Sequence, residues 1–297
     1  MPARSPRVVL ITGASSGIGA AVAREAARLG HHLVLTARRL ERLEQLANEL
    51  RAHPVETLIV PADLADPASP ERLVAATVDR FGGLDVLINN AGLGLPQLFA
   101  QAEPEAIAEQ IQVNLAAPIL LTRYALPSLL ERRGTVINIG SGITAVANPA
   151  LGAYGVTKAG LSYFNDALRR EVRHRGVRVS LVEPGPVTTE FFEAMGIPAR
   201  QVPGIYNPLR DPPPAAMCAS AEEVARRIVR LIERPRRRVS VLRRVIWPHR
   251  LVGVLFQLAP WLGDLAVTSV VQHLERTTNA GGMPHAPRKA QDAPSSR

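Results

Sequence analysis

Two side chains in this 297-residue chain stand at a spacing suited to proton chemistry. Tyr154 and Lys158 lie four apart within 153–173, where the periodicity predicts a helix, so both fall on one helix face. A nearby ammonium favours phenolate and lowers the phenol pKa towards working pH. Tyr154 is thus a candidate general acid for reducing a ketone and a base for oxidising an alcohol. Lysine is scarce, with Lys158 and Lys289 the only two, and with 4 Tyr the chance count of any Tyr-x-x-x-Lys is roughly 0.03. The competing reading is a plain surface pair. Ser141, at the end of a predicted strand, adds a hydroxyl that can donate to a carbonyl oxygen or serve as a turn residue.

A second constellation suits phosphate. The apolar run 8–11 leads into Thr12-Gly13-Ala14-Ser15-Ser16-Gly17-Ile18-Gly19, and a predicted helix follows. Strand, glycine-rich turn and helix place a pyrophosphate on a helix N-terminus. Gly13 allows the tight turn, Gly17 the approach of backbone to phosphate, and Gly19 the packing of helix on strand. The next strand, 32–37, ends in Thr36-Ala37-Arg38-Arg39 where an NAD site wants a carboxylate. Arg38, with Arg39 helping, can pair with a 2′-phosphate, which favours NADP over NAD; the alternative is that both begin a solvated helix. Asp63-Leu64 could hold the adenine edge, and Asn90-Ala91-Gly92 form a small-residue turn beside the cofactor.

These residues need a scaffold that gathers strand ends. Short apolar runs at 8–11, 32–37, 55–60, 84–88, 135–139, 177–182 and 238–242 read as strands. Amphipathic stretches at 17–29, 40–51, 69–81, 104–131, 153–173 and 221–234 read as helices. Alternating β and α elements imply a doubly wound α/β fold, a parallel sheet with helices on both faces. The expected organisation is one catalytic domain over 1–242 with a substrate loop at 190–219. An apolar helical extension over 243–276 and a polar, disordered tail over 277–297 complete it.

Composition narrows the function. Hydrophobic residues at 46% and charged residues at 21% suit a protein with a sizeable core. The single cysteine, Cys218, excludes an internal disulfide framework, and the seven His show no metal-ligand spacing. The net charge of +9 is local: Arg226–Arg250 holds ten Arg and one acid, so the rest of the chain sums to zero. No recognition motif backs that segment, so no nucleic-acid partner is expected. Residues 1–7 are short and polar, and no signal peptide is expected.

The set Thr12-Gly13-x-x-x-Gly17-Ile18-Gly19, Asn89-Asn90-Ala91-Gly92, Asn114, Ser141, Tyr154-x-x-x-Lys158 and Pro184-Gly185-Pro186-Val187-x-Thr189 resembles the short-chain dehydrogenase/reductase family over about residues 7–242. The glycine pattern is that of the short reductases, not the longer epimerases. The resemblance implies a seven-stranded Rossmann sheet and a Ser-Tyr-Lys triad with Asn as fourth member. It makes Tyr154 the acid/base and Ser141 the residue that orients substrate. Lys158 would hold the nicotinamide ribose and lower the Tyr154 pKa, and Asn114 would disturb its helix to hold a relay water. Pro184, Gly185, Val187 and Thr189 fall to the nicotinamide end, with Val187 and Thr189 on the carboxamide. The resemblance also implies a homo-oligomer, dimer or tetramer, through the helices 104–131 and 153–173. One departure stands out: NADP-preferring members often carry a basic residue in the glycine turn, and here the stretch is Ala14-Ser15-Ser16.

The expected reaction is NADP(H)-dependent hydride transfer to or from a small-molecule carbonyl or secondary alcohol, in the cytoplasm. The alternative is a non-catalytic NADP(H)-binding regulatory or scaffold protein. Phe191, Phe192, Met195 and Ile143 suggest a lipophilic substrate, although the same side chains could fill the underside of an ordinary loop. In the extension, Leu251, Leu255, Leu258, Leu262 and Leu265 recur at helical spacing and Pro260 divides them. It packs on its own domain, seals a subunit interface, or lies on an anionic membrane with 226–276 as the contact; the first two are favoured.

Overall fold

A computed structural model describes residues 6–145, 147, 151–191, 218–241, 258 and 261. The chain runs β1 (Val8–Thr12), α1 (Gly17–Arg28), β2 (His32–Thr36), α2 (Leu40–Leu50), β3 (Thr57–Ile59), α3 (Ser69–Phe81), β4 (Val86–Asn89) and α4 (Pro104–Ile111). It continues through α5 (Ala117–Glu131), β5 (Thr135–Ile139), α6 (Gly152–Val172), β6 (Arg178–Pro184), β7 (Val187–Thr188), β8 (Ala219–Ser220), α7 (Ala221–Glu233) and β9 (Arg238–Val241). All seven strands read from the sequence are present, with ends moved by a residue or two. They form one sheet in the order β3-β2-β1-β4-β5-β6-β9, with every neighbouring pair parallel. The two-residue strands β7 and β8, too short for any periodic signal, pair separately at the edge of the substrate loop.

Parallel strands buried on both faces must be apolar throughout, and alternate residues of each strand feed different cores. Val9, Ile11, Leu33, Leu35, Ile88 and Ile137 pack with α1, α2 and α7 on one face. Leu10, Val34, Leu87 and Val136 pack with α3, α5 and α6 on the other. The sheet reverses direction of growth between β1 and β4, so the turns after these strands open a crevice at the carboxyl edge, where ligands bind in such sheets.

A buried polar ladder crosses this apolar interior. Asn89 of β4 donates through Nδ2 to Asn138 Oδ1 of β5 at 2.8 Å, and Asn138 Nδ2 donates to Asn165 Oδ1 of α6 at 3.1 Å. All three are fully buried or nearly so. The predicted helix 104–131 forms as one run, but Gln112–Ala116 between α4 and α5 is wound as a π-helix. Such bulges release backbone groups from the regular ladder and recur at functional sites. The extension 243–276 and tail 277–297 lie outside the described residues except for Leu258 and Trp261, which are helical and exposed.

Candidate active site

Helix α6 carries the reactive pair on its buried stripe: Tyr154, Lys158, Leu161, Asn165, Leu168 and Val172 recur at three- and four-residue steps. The stripe faces the carboxyl edge of the sheet at its N-terminal end. There Lys158 Nζ donates to the Ile139 carbonyl oxygen at 2.9 Å and lies 5.7 Å from the Tyr154 ring centroid. Ser141, two residues beyond β5, shares a hydrogen bond with the Tyr154 hydroxyl. Helix spacing pairs Tyr154 with Lys158, and the β5–α6 packing brings Ser141, which the resemblance grouped with them, to the Tyr154 hydroxyl.

Burial decides the protonation of both groups. It pushes Tyr154 up to about 12, with the Ser141 hydrogen bond pulling weakly the other way. It pushes Lys158 down from 10.5 to about 8. The expectation that the ammonium holds Tyr154 low is therefore not met in this arrangement. Lys158 spends a donor on Ile139, and desolvation is the largest influence on the phenol.

The π-helical segment brings in Asn114, which is fully buried. Its Nδ2 donates to the Leu93 carbonyl at 2.7 Å and to Thr157 Oγ1 at 3.3 Å, and its Oδ1 accepts from Leu93 N at 2.8 Å. Thr157, which sequence reasoning passed over, ties this network to α6 by donating to the Tyr154 carbonyl at 2.7 Å. Gly92 sits where three elements converge. A Cβ there would stand 3.2 Å from Asn114 Oδ1 and 3.5 Å from Lys158 Nζ.

The glycine turn lies across the crevice. Gly13 and Gly17 have φ of +66° and +54°, in the left-handed region where glycine is favoured. A Cβ on Gly13 would stand 2.9 Å from Ala91 Cα, and one on Gly17 3.2 Å from the Thr189 side chain. Asn90 closes the back of the turn, its Nδ2 donating to the Thr12 and Gly13 carbonyls at 2.8 and 3.3 Å. Thr12 Oγ1 accepts from the amides of Asn90 and Ala91, both at 2.9 Å. Ser16 caps α1 with no side-chain bond to the helix, and the first turn of α1, which begins Gly17-Ile18-Gly19, contains no acid. A helix N-terminus with glycines and no carboxylate suits a phosphate anion.

Around this frame the expected contacts divide. Asp63 Oδ1 accepts from Ala65 N at 3.0 Å in a local turn, and Leu64 is buried with its carbonyl accepting from Gln112. Gly185 N donates to the Val241 carbonyl at 3.2 Å, which sets the strand end from Pro184 beside β9. Val187 is buried in β7. Thr189 leans on the glycine turn, and the Phe191 ring stands 6.1 Å from the Tyr154 ring. Ile143 belongs to the short 3-10 turn Gly142–Ala145, its side chain outside the described set; Phe192 and Met195 also lie outside the described residues.

The arginines are rearranged relative to expectation. Arg38 is mostly exposed and, among the described residues, pairs with Glu109 at 3.7 Å. Arg39 is the one that crosses to the glycine turn, donating to Ser16 Oγ at 2.8 Å and Ser15 Oγ at 3.2 Å. It thereby supplies, from the N-cap of α2, the basic group that the turn itself lacks. Arg42 and Glu190, not singled out from the sequence, join it, and the signal was present as two Arg one helical turn apart beside a carboxylate next to Thr189.

The sheet order and the crevice define a dinucleotide-type α/β oxidoreductase, and comparison with known proteins agrees. The family model for short chain dehydrogenases matches residues 7–197. Serine 3-dehydrogenase from Agrobacterium fabrum is 39% identical over 190 residues, spanning 62% of this chain and 73% of that protein. An alcohol dehydrogenase from Thermococcus sibiricus, solved with 5-hydroxy-NADP, superposes with a TM-score of 0.70 at 29% identity, covering 80% of this chain and 97% of that one. A metagenomic short-chain oxidoreductase solved with NADP gives a TM-score of 0.60 at 36% identity, covering 62% and 85%. The chain belongs to the short-chain dehydrogenase/reductase family and is an oxidoreductase.

Proposed function

We propose that the protein is an NADP(H)-dependent oxidoreductase acting on a carbonyl or secondary alcohol, with Tyr154 as general acid/base. The observation that carries the reading is the convergence of Ser141, Tyr154 and Lys158 across the crevice from an acid-free helix N-terminus. Of the solved relatives described above, one carries NADP and the other 5-hydroxy-NADP, which supports NADP as the cofactor. Gly13 and Gly17 would let backbone approach its pyrophosphate while Gly19 keeps α1 packed on the turn; Arg39 and Arg38 would hold its adenosine end, and Val187 and Thr189 its nicotinamide end. When bound, the nicotinamide supplies or accepts the hydride.

The protein's own part is the proton and the alignment. In reduction the Tyr154 hydroxyl gives its proton to the substrate carbonyl oxygen, and Ser141 donates a hydrogen bond to the same oxygen. The high pKa of Tyr154 keeps the phenol protonated and fit to donate across neutral pH. Lys158, pushed to about 8, still carries its charge at pH 7 and stabilises the phenolate left behind. Asn114 sits where a relay to solvent would begin. Phe191 beside Tyr154 gives the pocket an apolar wall and supports a lipophilic substrate.

Val156 and Tyr163 of α6, 65% and 81% exposed and seven residues apart on one helix face, are large side chains left to solvent, which supports a homo-oligomer through this helix. The single cysteine asks for no oxidising compartment and fits a cytoplasmic location. The test is Tyr154→Phe with a carbonyl panel. Turnover should fall at least a thousandfold while NADPH affinity stays within twofold; retained turnover refutes the assignment.

A further inference from the structure

Beside the glycine turn a carboxylate occupies the arginines. Glu190 accepts from Arg42 Nη1 through both oxygens, at 2.6 and 2.8 Å, and from Arg39 Nη1 at 3.2 Å. These side chains are 42–46% exposed, so the pairs add little to stability. The arginines, Arg42 foremost, hold Glu190 below the usual carboxylate range, so it stays ionised at neutral pH. Arg39 does not depend on it for position, since Ser15 and Ser16 hold its other nitrogens. Arg42, by contrast, has Glu190 as its only ion-pair partner among the described residues.

A carboxylate and a phosphate monoester ask the same thing of a guanidinium: paired N–H donors in a plane. Glu190 therefore fills, from within the chain, the role that a ribose 2′-phosphate would fill. We infer that Glu190 is a specificity-determining residue that competes with the cofactor 2′-phosphate for Arg39, while Arg42 retains the displaced carboxylate and limits its repulsion of the phosphate. This rests on the NADP reading above. It predicts that the natural chain binds NADPH less tightly than its arginines allow.

The test is a titration of nicotinamide fluorescence with NADPH and with NADH at 150 mM salt. A unit charge a few ångströms from a phosphate dianion, screened by salt, sets the scale. Glu190→Gln should tighten NADPH roughly three- to tenfold and change NADH less than twofold. Arg42→Gln should weaken NADPH in the natural chain and lose that effect in the Glu190→Gln background. Unchanged or weaker NADPH binding by Glu190→Gln overturns the inference, as does an Arg42→Gln effect equal in both backgrounds. Arg39→Gln separates the two levels. If the natural chain binds both cofactors equally and Arg39→Gln leaves the ratio unmoved, the NADP reading itself fails. If Arg39→Gln abolishes a clear NADPH preference while Glu190→Gln is silent, only the role of Glu190 falls.

Discussion

Replacing Lys158 by Met should abolish turnover and yet stabilise the fold in a pH-dependent way. Burial takes the lysine from 10.5 to about 8. Below pH 8 both folded and unfolded chains are protonated there, and the buried charge costs about 3 kcal/mol. Between pH 8 and 10.5 the unfolded chain keeps a proton that the folded one has released, so the stability of the natural protein rises with pH across that window. Methionine has no such proton. The stability of Lys158→Met minus that of the natural chain should therefore shrink by roughly 2–3 kcal/mol between pH 7 and pH 10. For a protein of this size that is on the order of 3–5 °C in Tm. The variant also leaves the Ile139 carbonyl without its donor, but that penalty is the same at every pH. Urea melts of both proteins at four pH values from 7 to 10 measure the difference, and all other titrations cancel in it. A gap constant within about 0.5 kcal/mol would sink the argument that desolvation governs this lysine.

Three further outcomes follow from the same geometry. In cofactor-free protein, the 295 nm absorbance difference between the natural chain and Tyr154→Phe should show no phenolate below about pH 11, since burial holds Tyr154 near 12; ionisation below pH 9 would contradict that. Gly19→Ala drives a Cβ into the Gly13 carbonyl oxygen and to 2.7 Å from Asn90 Nδ2, so it should cost about 3 kcal/mol and lose NADPH binding, and a melt matching the natural protein would refute the close packing. Val156→Glu with Tyr163→Glu should shift sedimentation to the monomer with the fold intact by circular dichroism; an unchanged assembly would move the interface elsewhere.

The seven strands were legible because a strand buried on both faces has no choice but to be apolar, as Val8-Val9-Leu10-Ile11 is. Tyr154 and Lys158 were legible because one helix fixes their spacing. What the sequence hid depends on partners far along the chain. Thr157 looks like any helix residue until it is seen against Asn114. Arg38 and Arg39 are indistinguishable as letters; the start of α2 turns one to solvent and the other over Ser15 and Ser16. The direction of the Tyr154 pKa is not legible either, because spacing reports charge proximity and not the desolvation that raises it.

The asparagine ladder bears on how such a site persists while its surroundings change. Apolar contacts between a helix and a sheet allow small slides, because one methyl group replaces another. An amide held at 2.8 Å and 3.1 Å does not. Asn165 lies eleven residues, about 16 Å along the axis, from Tyr154, so it works as a distant key that fixes the helix against the central strands. The leucines and valines between them are then free to drift, since the tyrosine is indexed to the sheet by a lock they do not form.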